Sequence, residues 1–202
     1  MLRRRLPHPQ PLTTRLTRLR DRLAVHRPRV DERGDPLIWA AVAVILAPDP
    51  DSVLLIQRAE RAGDPWSGHM ALPGGRQDPS EPDLLVTAIR ETAEEVGLML
   101  RPEQLIGTLD DVVPRTPFLP PIAVRPYVFL LDHPPHLTLN VEVAVARWLP
   151  LDLLLHPGNY LPLQFEIRGE TREFPAYRVD DSVVWGMTER ILSGLLEQAG
   201  GN

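Results

Sequence analysis

The sequence predicts an α+β fold, and three observations carry it. Residues 37–47 form a run rich in Ile, Val and Ala, of strand length and apolar throughout. Residues 82–96 repeat apolar side chains at helical spacing and stop at a glycine. Short strand-like pieces joined by turns then alternate with helices along the rest of the chain. Hairpins mixed with helices in this way point to a mixed sheet rather than a doubly wound parallel one. The 202 residues, 43% hydrophobic and 24% charged, suit one domain with a core plus terminal additions.

In chain order, Leu12, Leu16, Leu19 and Leu23 recur at spacings of four, three and four, a narrow apolar stripe on a helix over about residues 11–26. Arginines flank the stripe, and Arg3, Arg4, Arg5, Arg15, Arg18 and Arg20 make the first twenty residues basic and free of acids. The expected role is a helix docked on the domain with a solvated basic face; contact with phosphates or a membrane surface is the other reading. A transit peptide is also Arg-rich, but Pro7, Pro9 and Pro11 interrupt this one and no apolar segment follows. The boundaries read from this are a basic extension and helix at 1–35 and a main domain at 36–198.

The apolar run at 37–47, turn residues Pro48-Asp49-Pro50-Asp51 and a second strand at 53–57 predict an antiparallel hairpin. Residues 63–76, rich in Gly and Pro, read as loop. Pro82 suits the first turn of the next helix, with Glu81 as a possible cap, and Gly97 suits its end. Strands are expected at 105–109, 122–131 and 141–148, with a proline-dense loop at 110–121 between the first two. A short helix at 151–155, a hairpin of 165–167 with 171–174, and a terminal helix over 183–197 complete the reading.

Composition narrows the chemistry. There is no cysteine, which removes disulfides, thiolate metal sites and a cysteine nucleophile. Every basic residue among the 22 is arginine, so lysine-based covalent chemistry is also excluded. The net charge of −5 gives no global basic field, so nucleic acid is not the expected partner. No stretch approaches the roughly 18 apolar residues of a membrane span. A cytoplasmic location is the expectation.

The chemistry-bearing segment is 74–98. On the helix, Leu85, Ala88, Ile89, Thr92 and Val96 share one face, expected to meet the core. Glu91, Glu94 and Glu95 share another, at i, i+3 and i+4. Three adjacent carboxylates repel, and a hard divalent cation such as Mg²⁺ or Mn²⁺ would offset that. A solvated acidic face is the plain alternative. Gly74 and Gly75, just before the helix, leave backbone groups open to a metal or phosphate. Arg90 can grip a neighbouring carboxylate.

This arrangement resembles the Nudix box, G-x5-E-x7-R-E-U-x-E-E-x-G-U with U a bulky aliphatic residue. Gly75, Glu81, Arg90, Glu91, Glu94, Glu95, Gly97 and Leu98 match it; Thr92 stands at a U position, and the spacer from Glu81 to Arg90 has eight residues rather than seven. The longer spacer and Leu72-Pro73-Gly74-Gly75-Arg76-Gln77-Asp78-Pro79 resemble the coenzyme A pyrophosphatase branch of that family. Leu54-Leu55-Ile56-Gln57-Arg58-Ala59 with Gly68 resembles the branch's upstream signature. Gly63, however, occupies the place of its second arginine, Arg61 lies two positions earlier, and the gap to Gly68 is one residue long. Phe174-Pro175-Ala176-Tyr177, Val184-Trp185-Gly186-Met187-Thr188, and Glu142-Val143 ahead of Trp148-Leu149-Pro150-Leu151 resemble the same branch.

The resemblance implies a Nudix-type α/β/α sandwich with a mixed sheet and a hydrolase acting on a diphosphate bond. It implies Mg²⁺ or Mn²⁺ held by Glu91, Glu94, Glu95 and the Gly74 carbonyl, with Glu81 as an outer ligand or merely a cap. Arg90 would orient a glutamate. Glu142 is the best late candidate for general base, and Asp110 and Asp111 are weaker ones. Arg58, Arg76 and Gly75 are candidates for substrate contact. His69 reads as a structural hydrogen-bonding residue rather than a metal ligand. Tyr177 and Trp185 read as structural, with base stacking as the other reading. The expected substrate is a nucleotide-like molecule, coenzyme A or a derivative first. Alternatives are ADP-ribose, dinucleotides or nucleoside triphosphates, or a ligand sensor without turnover. A homodimer is the expected assembly.

Overall fold

The computed structural model describes residues 12–30, 38–60, 68–114, 121–167 and 169–200, apart from the side chain of residue 167. Arg3, Arg4, Arg5, Arg61, Gly63 and the prolines at 7, 9 and 11 lie outside the described residues, as do residues 115–120 of the expected loop at 110–121.

The central strand is β1 (Ile38–Ala47). It pairs in parallel with β6 (Ile122–Leu130) from Ile38–Ile122 to Leu46–Leu130. Its other edge is divided. Ala40, Ala41 and Val42 pair antiparallel with β4 (Gly74–Arg76), whereas Leu46 and Ala47 pair with β2 (Ser52–Arg58). Strand β2 carries β3 (Met70–Ala71) and β7 (Val143–Pro150), both antiparallel, and β5 (Leu105–Thr108) lies antiparallel on β6. The mixed sheet foreseen from the sequence is thus present. A second sheet runs β10 (Ser182–Trp185), β9 (Glu170–Val179), β8 (Tyr160–Ile167).

Alternation along β1 explains its unbroken apolar run. Ala40, Val44 and Leu46 face a cluster with Leu16, Leu19 and Leu23 of α1 (Thr14–Leu23) and Leu192 and Leu195 of α4 (Gly186–Ala199). Ala41, Ala43 and Ile45 face the other way, against Leu84, Ala88 and Val96 of α2 (Leu84–Val96). Both faces of the sheet are covered, so no polar alternation is tolerated. The small side chains of Ala41 and Ala43 leave room for α2 to lie close over β1 and β4. A short helix, α3 (Leu151–Leu155), follows β7 where expected.

Two arginines of α1, Arg15 and Arg22, have partners elsewhere in the fold. Arg15 meets Asp152 at 2.6 Å, and one Arg22 amine donates to the carbonyls of Glu197 and Gln198 at the end of α4. The latter favours the negative end of that helix dipole.

Several expectations are corrected. Asp83, not Glu81, caps α2: its carboxylate accepts the Val86 N–H at 3.0 Å, so Pro82 lies outside the helix. Only the shorter side chain at Asp83 is placed to reach that amide, and Glu81 is drawn to Arg90 instead. On α2, Leu84 and Thr87 are buried while Leu85 and Ile89 are only half-buried. The terminal helix begins at Gly186 rather than 183, because β-branched Val183 and Val184 pair with β9 as β10. Gly186, at φ +70, turns the chain from strand to helix. The hairpin around residue 168 is longer than expected, spanning β8 and β9 from Tyr160 to Val179. Residues 74–76, read as loop, pair with β1 as β4.

Candidate functional site

The glycine pair at β4 is dictated by close approach. At Gly74, with φ +152, a Cβ would collide with the Ala41 carbonyl; at Gly75 it would collide with the Glu91 carboxylate. At Gly74 the clash is with the β1 backbone and only glycine fits; at Gly75 a side chain would displace the Glu91 carboxylate from the turn. The Gly74 N–H donates to Glu95 at 2.9 Å.

Arg90 is the hub of the acidic face. Its Nε donates to Glu81 at 2.7 Å, and Nη1 lies 2.8 Å from Glu91 and 3.1 Å from Glu94. Glu81 also accepts from the Thr87 hydroxyl at 2.7 Å and the Asp78 N–H at 2.8 Å. Burial opposes its charge, but the bonds from Arg90, Thr87 and Asp78 outweigh that and hold its carboxyl below the usual range. Arg90 is in turn pushed to a higher pKa, chiefly by its bond to Glu81. The extra residue in the spacer therefore leaves Glu81 and Arg90 in direct contact.

The three glutamates at i, i+3 and i+4 are not equivalent. The Glu94 side chain is 55% exposed, Glu91 is half-buried, and Glu95 is 3% exposed. Burial lifts the Glu95 carboxyl to about 7, against the Gly74 hydrogen bond, which lowers it; Glu91 and Glu142 raise it further and Arg58 lowers it. Burial also raises Glu91, against Arg90, with Glu94 and Glu142 adding to the rise. Glu142, 47 residues beyond Glu95, is thus brought into the field of the box acids.

What brings it there is a segment strapped to the end of α2. The Thr138 N–H donates to the Val96 carbonyl at 2.9 Å and the Asn140 N–H to the Glu95 carbonyl at 3.0 Å. The Asn140 side-chain oxygen then accepts the Glu142 N–H at 2.8 Å, and the Glu142 carbonyl accepts the Ala59 N–H at 2.8 Å. Sequence reasoning missed Asn140. An Asn two residues before a candidate acid is the local signal for such a turn.

Hard oxygen donors crowded beside a backbone turn, two of them with their charge disfavoured by burial and by one another, fit a divalent cation. Among the described residues no three acids or imidazoles are already gathered as a metal cage. Glu91 and Glu94 are turned to Arg90, and Glu95 to the Gly74 amide, so binding would redirect them.

Other candidates fall elsewhere. Asp111 pairs bidentately with Arg125, both contacts 2.9 Å, and Asp110 meets His26 at 3.1 Å and Arg29 at 2.9 Å. Both are engaged in ion pairs away from the box. Arg58 ends β2 within the field of Glu95; the Arg76 side chain is exposed on β4. Tyr177 is buried, its hydroxyl 2.8 Å from that of Ser193. A cavity of about 460 Å³ lined by Thr13, Arg15, Arg18, Asp51 and Leu155 contains no box residue. No helix among the described residues is long and apolar enough to cross a membrane.

Residues 37–168 match the NUDIX domain family. The chain is 32% identical over 192 residues to an uncharacterized Nudix hydrolase, NudL, of Cronobacter sakazakii, covering 94% of this chain and 96% of that protein. It is 47% identical over 119 residues to the uncharacterized protein C14C4.10c of Schizosaccharomyces pombe, covering 56% of this chain but only 36% of that longer protein. The fold is similar to that of a MutT/nudix family protein from Enterococcus faecalis, with TM-score 0.58 and 22% identity over 80% of this chain and 62% of the other.

Proposed function

The chain belongs to the Nudix hydrolase family, which cleaves nucleoside diphosphate-linked substrates, and on that premise we propose a Mg²⁺- or Mn²⁺-dependent pyrophosphohydrolase acting on coenzyme A or a derivative. The observation that carries the catalytic reading is that Glu91 and Glu95 lie against the Gly74–Gly75 turn while Glu142 lies within their electrostatic field.

Glu91, Glu94, Glu95 and the Gly74 carbonyl would hold the cations, which would supply positive charge to offset that of the diphosphate. Glu142 takes the proton of the attacking water, and Asn140 and the α2 strap keep it in place. The water oxygen bonds in line to one phosphorus as the bond from that phosphorus to the bridging oxygen breaks, leaving two phosphate monoesters. Arg90 orients Glu91 and Glu94. Glu81 acts through Arg90, since its carboxylate already accepts three hydrogen bonds. Arg58, Arg76 and the backbone at Gly75 meet the phosphates.

The coenzyme A assignment is supported by the eight-residue spacer, by Leu72-Pro73-Gly74-Gly75-Arg76 and by Trp185-Gly186-Met187-Thr188. Gly63 at the place of the second signature arginine favours a second reading, hydrolysis of ADP-ribose or a dinucleotide. Purified protein incubated with Mg²⁺ and coenzyme A, then chromatographed, is expected to yield 3′,5′-ADP and 4′-phosphopantetheine. Turnover of ADP-ribose or NADH without either product replaces the first reading with the second. No turnover of any diphosphate removes the hydrolytic role from these residues.

A further inference from the structure

Four rings gather where the second sheet meets the first. Phe165 of β8 stacks on Trp185 of β10, with 4.1 Å between centroids and 16° between planes. Phe174 of β9 lies 5.6 Å from Trp185, and His69, just before β3, meets it edge-on at 5.1 Å. None of these four rings is fully buried, so each keeps part of its surface open to a flat ligand. Tyr177, two strand positions from Pro175 on the same β9, is buried and shows what full packing looks like in this unit.

The cluster is connected to the acidic site by backbone. Ile56 pairs with Ala71 and Gln57 with Met70, and the next rung joins the Arg58 N–H to the His69 carbonyl at 3.1 Å. Arg58 in turn lies within the field of Glu95. His69 is five residues from Gly74, at most ~17 Å of extended chain. One neighbourhood therefore holds the aromatic rings, Arg58 and the Glu95 carboxylate.

We propose that Trp185, Phe165, Phe174 and His69 form the subsite for the flat heteroaromatic base of the substrate, with Arg58 between base and diphosphate. This rests on the diphosphate-hydrolase reading and adds to it which end of the substrate lies over the second sheet. A stacked base has a face for every ring that offers one, and stacking of this kind is sequence-tolerant and insensitive to hydrogen-bond pattern. Purine over pyrimidine is then a matter of ring area rather than of specific donors.

The test separates binding from turnover. AMP and ribose 5-phosphate are titrated into the full-length chain with Mg²⁺, followed by calorimetry and by the indole resonances. AMP is expected to bind at least about tenfold more tightly than ribose 5-phosphate and to shift the Trp185 indole. Trp185→Ala and Phe165→Leu remove that tenfold advantage, whereas Trp185→Phe keeps most of it. Phe165→Leu serves alone if Trp185→Ala does not fold by circular dichroism. Ring-dependent AMP binding in a chain that cleaves no diphosphate supports the subsite while ending the hydrolytic reading. Diphosphate cleavage with nucleotide KM unchanged in folded Phe165→Leu and Trp185→Ala ends the subsite and leaves the hydrolytic reading standing. Equal binding of the two ligands to the unaltered chain also overturns it.

Discussion

Helices α1 and α2 flank the same sheet and use their inner faces differently. α1 buries Leu16, Leu19 and Leu23 fully, and its polar contacts lie at the rim. α2 buries Thr87, Thr92 and Glu95 together with Leu84, Ala88 and Val96. Thr92, which stands where the family motif has an aliphatic residue, is accommodated because its hydroxyl donates to the Ala88 carbonyl at 2.7 Å. Burying an unpaired carboxylate is costly, and α2 offsets that only in part with the Gly74 amide. One helix lends stability; the other holds charge where water would have favoured it less reluctantly. The contrast is that of a face built for packing with a face that keeps a carboxylate buried at a cost.

The contrast can be broken by substitution. The largest effect is expected for Glu95→Gln: kcat falls by on the order of 10²–10³-fold, while the metal-free variant melts no lower than the parent. A kcat within threefold of the parent, measured at saturating Mg²⁺, would sink the metal-site assignment. Leu19→Ala on α1 is expected to do the reverse. It should cost ~2–5 kcal/mol of unfolding free energy in urea, with kcat at 20 °C nearly unchanged in the fraction that remains folded. If activity per folded molecule collapses instead, the two faces are coupled and the division between them is wrong.

The two helices also differ in their response to pH. With Glu95 lifted to about 7 in the fold against 4.5 when unfolded, the folded state keeps the extra proton between those values. Metal-free protein should therefore be most stable below about pH 4.5 with respect to this group. It should lose up to ~3 kcal/mol as pH rises through 7. Urea melts in EDTA at pH 5 and 8 measure this; Glu95→Gln should flatten the difference, and Mg²⁺ should restore stability at pH 8. A Leu19→Ala chain should keep the pH slope of the parent. The smallest effect is expected for Asn140→Ala, which removes one hydrogen bond from the Glu142 turn. A fall in kcat of up to about tenfold, with KM little changed, is expected, and Asn140→Asp should recover most of it because it keeps the acceptor. An equal loss in Asn140→Asp means that the turn is not what positions Glu142.

Much was legible in the residues because it depends on near neighbours. The leucine stripe of α1, the two-faced apolar run of β1, the stop at Gly97 and the spacing of Glu91, Glu94 and Glu95 all follow from periodicities over a few turns or strand steps. The Nudix resemblance rests on the same short-range spacing. What could not be read locally depends on partners far along the chain. Val183–Trp185 continues a helical pattern until β9 captures it, and Gly74–Arg76 reads as loop until β1 pairs with it. Asp83 and Glu81 both lie ahead of α2, and the position of Arg90 decides which of them caps it.

Residue type and spacing are enough to place a glycine pair ahead of a helix carrying three acids and an arginine. The unequal burial of those acids, and the presence of Glu142 in their field, come from contacts between distant parts of the chain. The strap from Thr138 to Asn140 ties a distant strand to the end of α2, and the field of a charge is set by distance through space rather than along the chain.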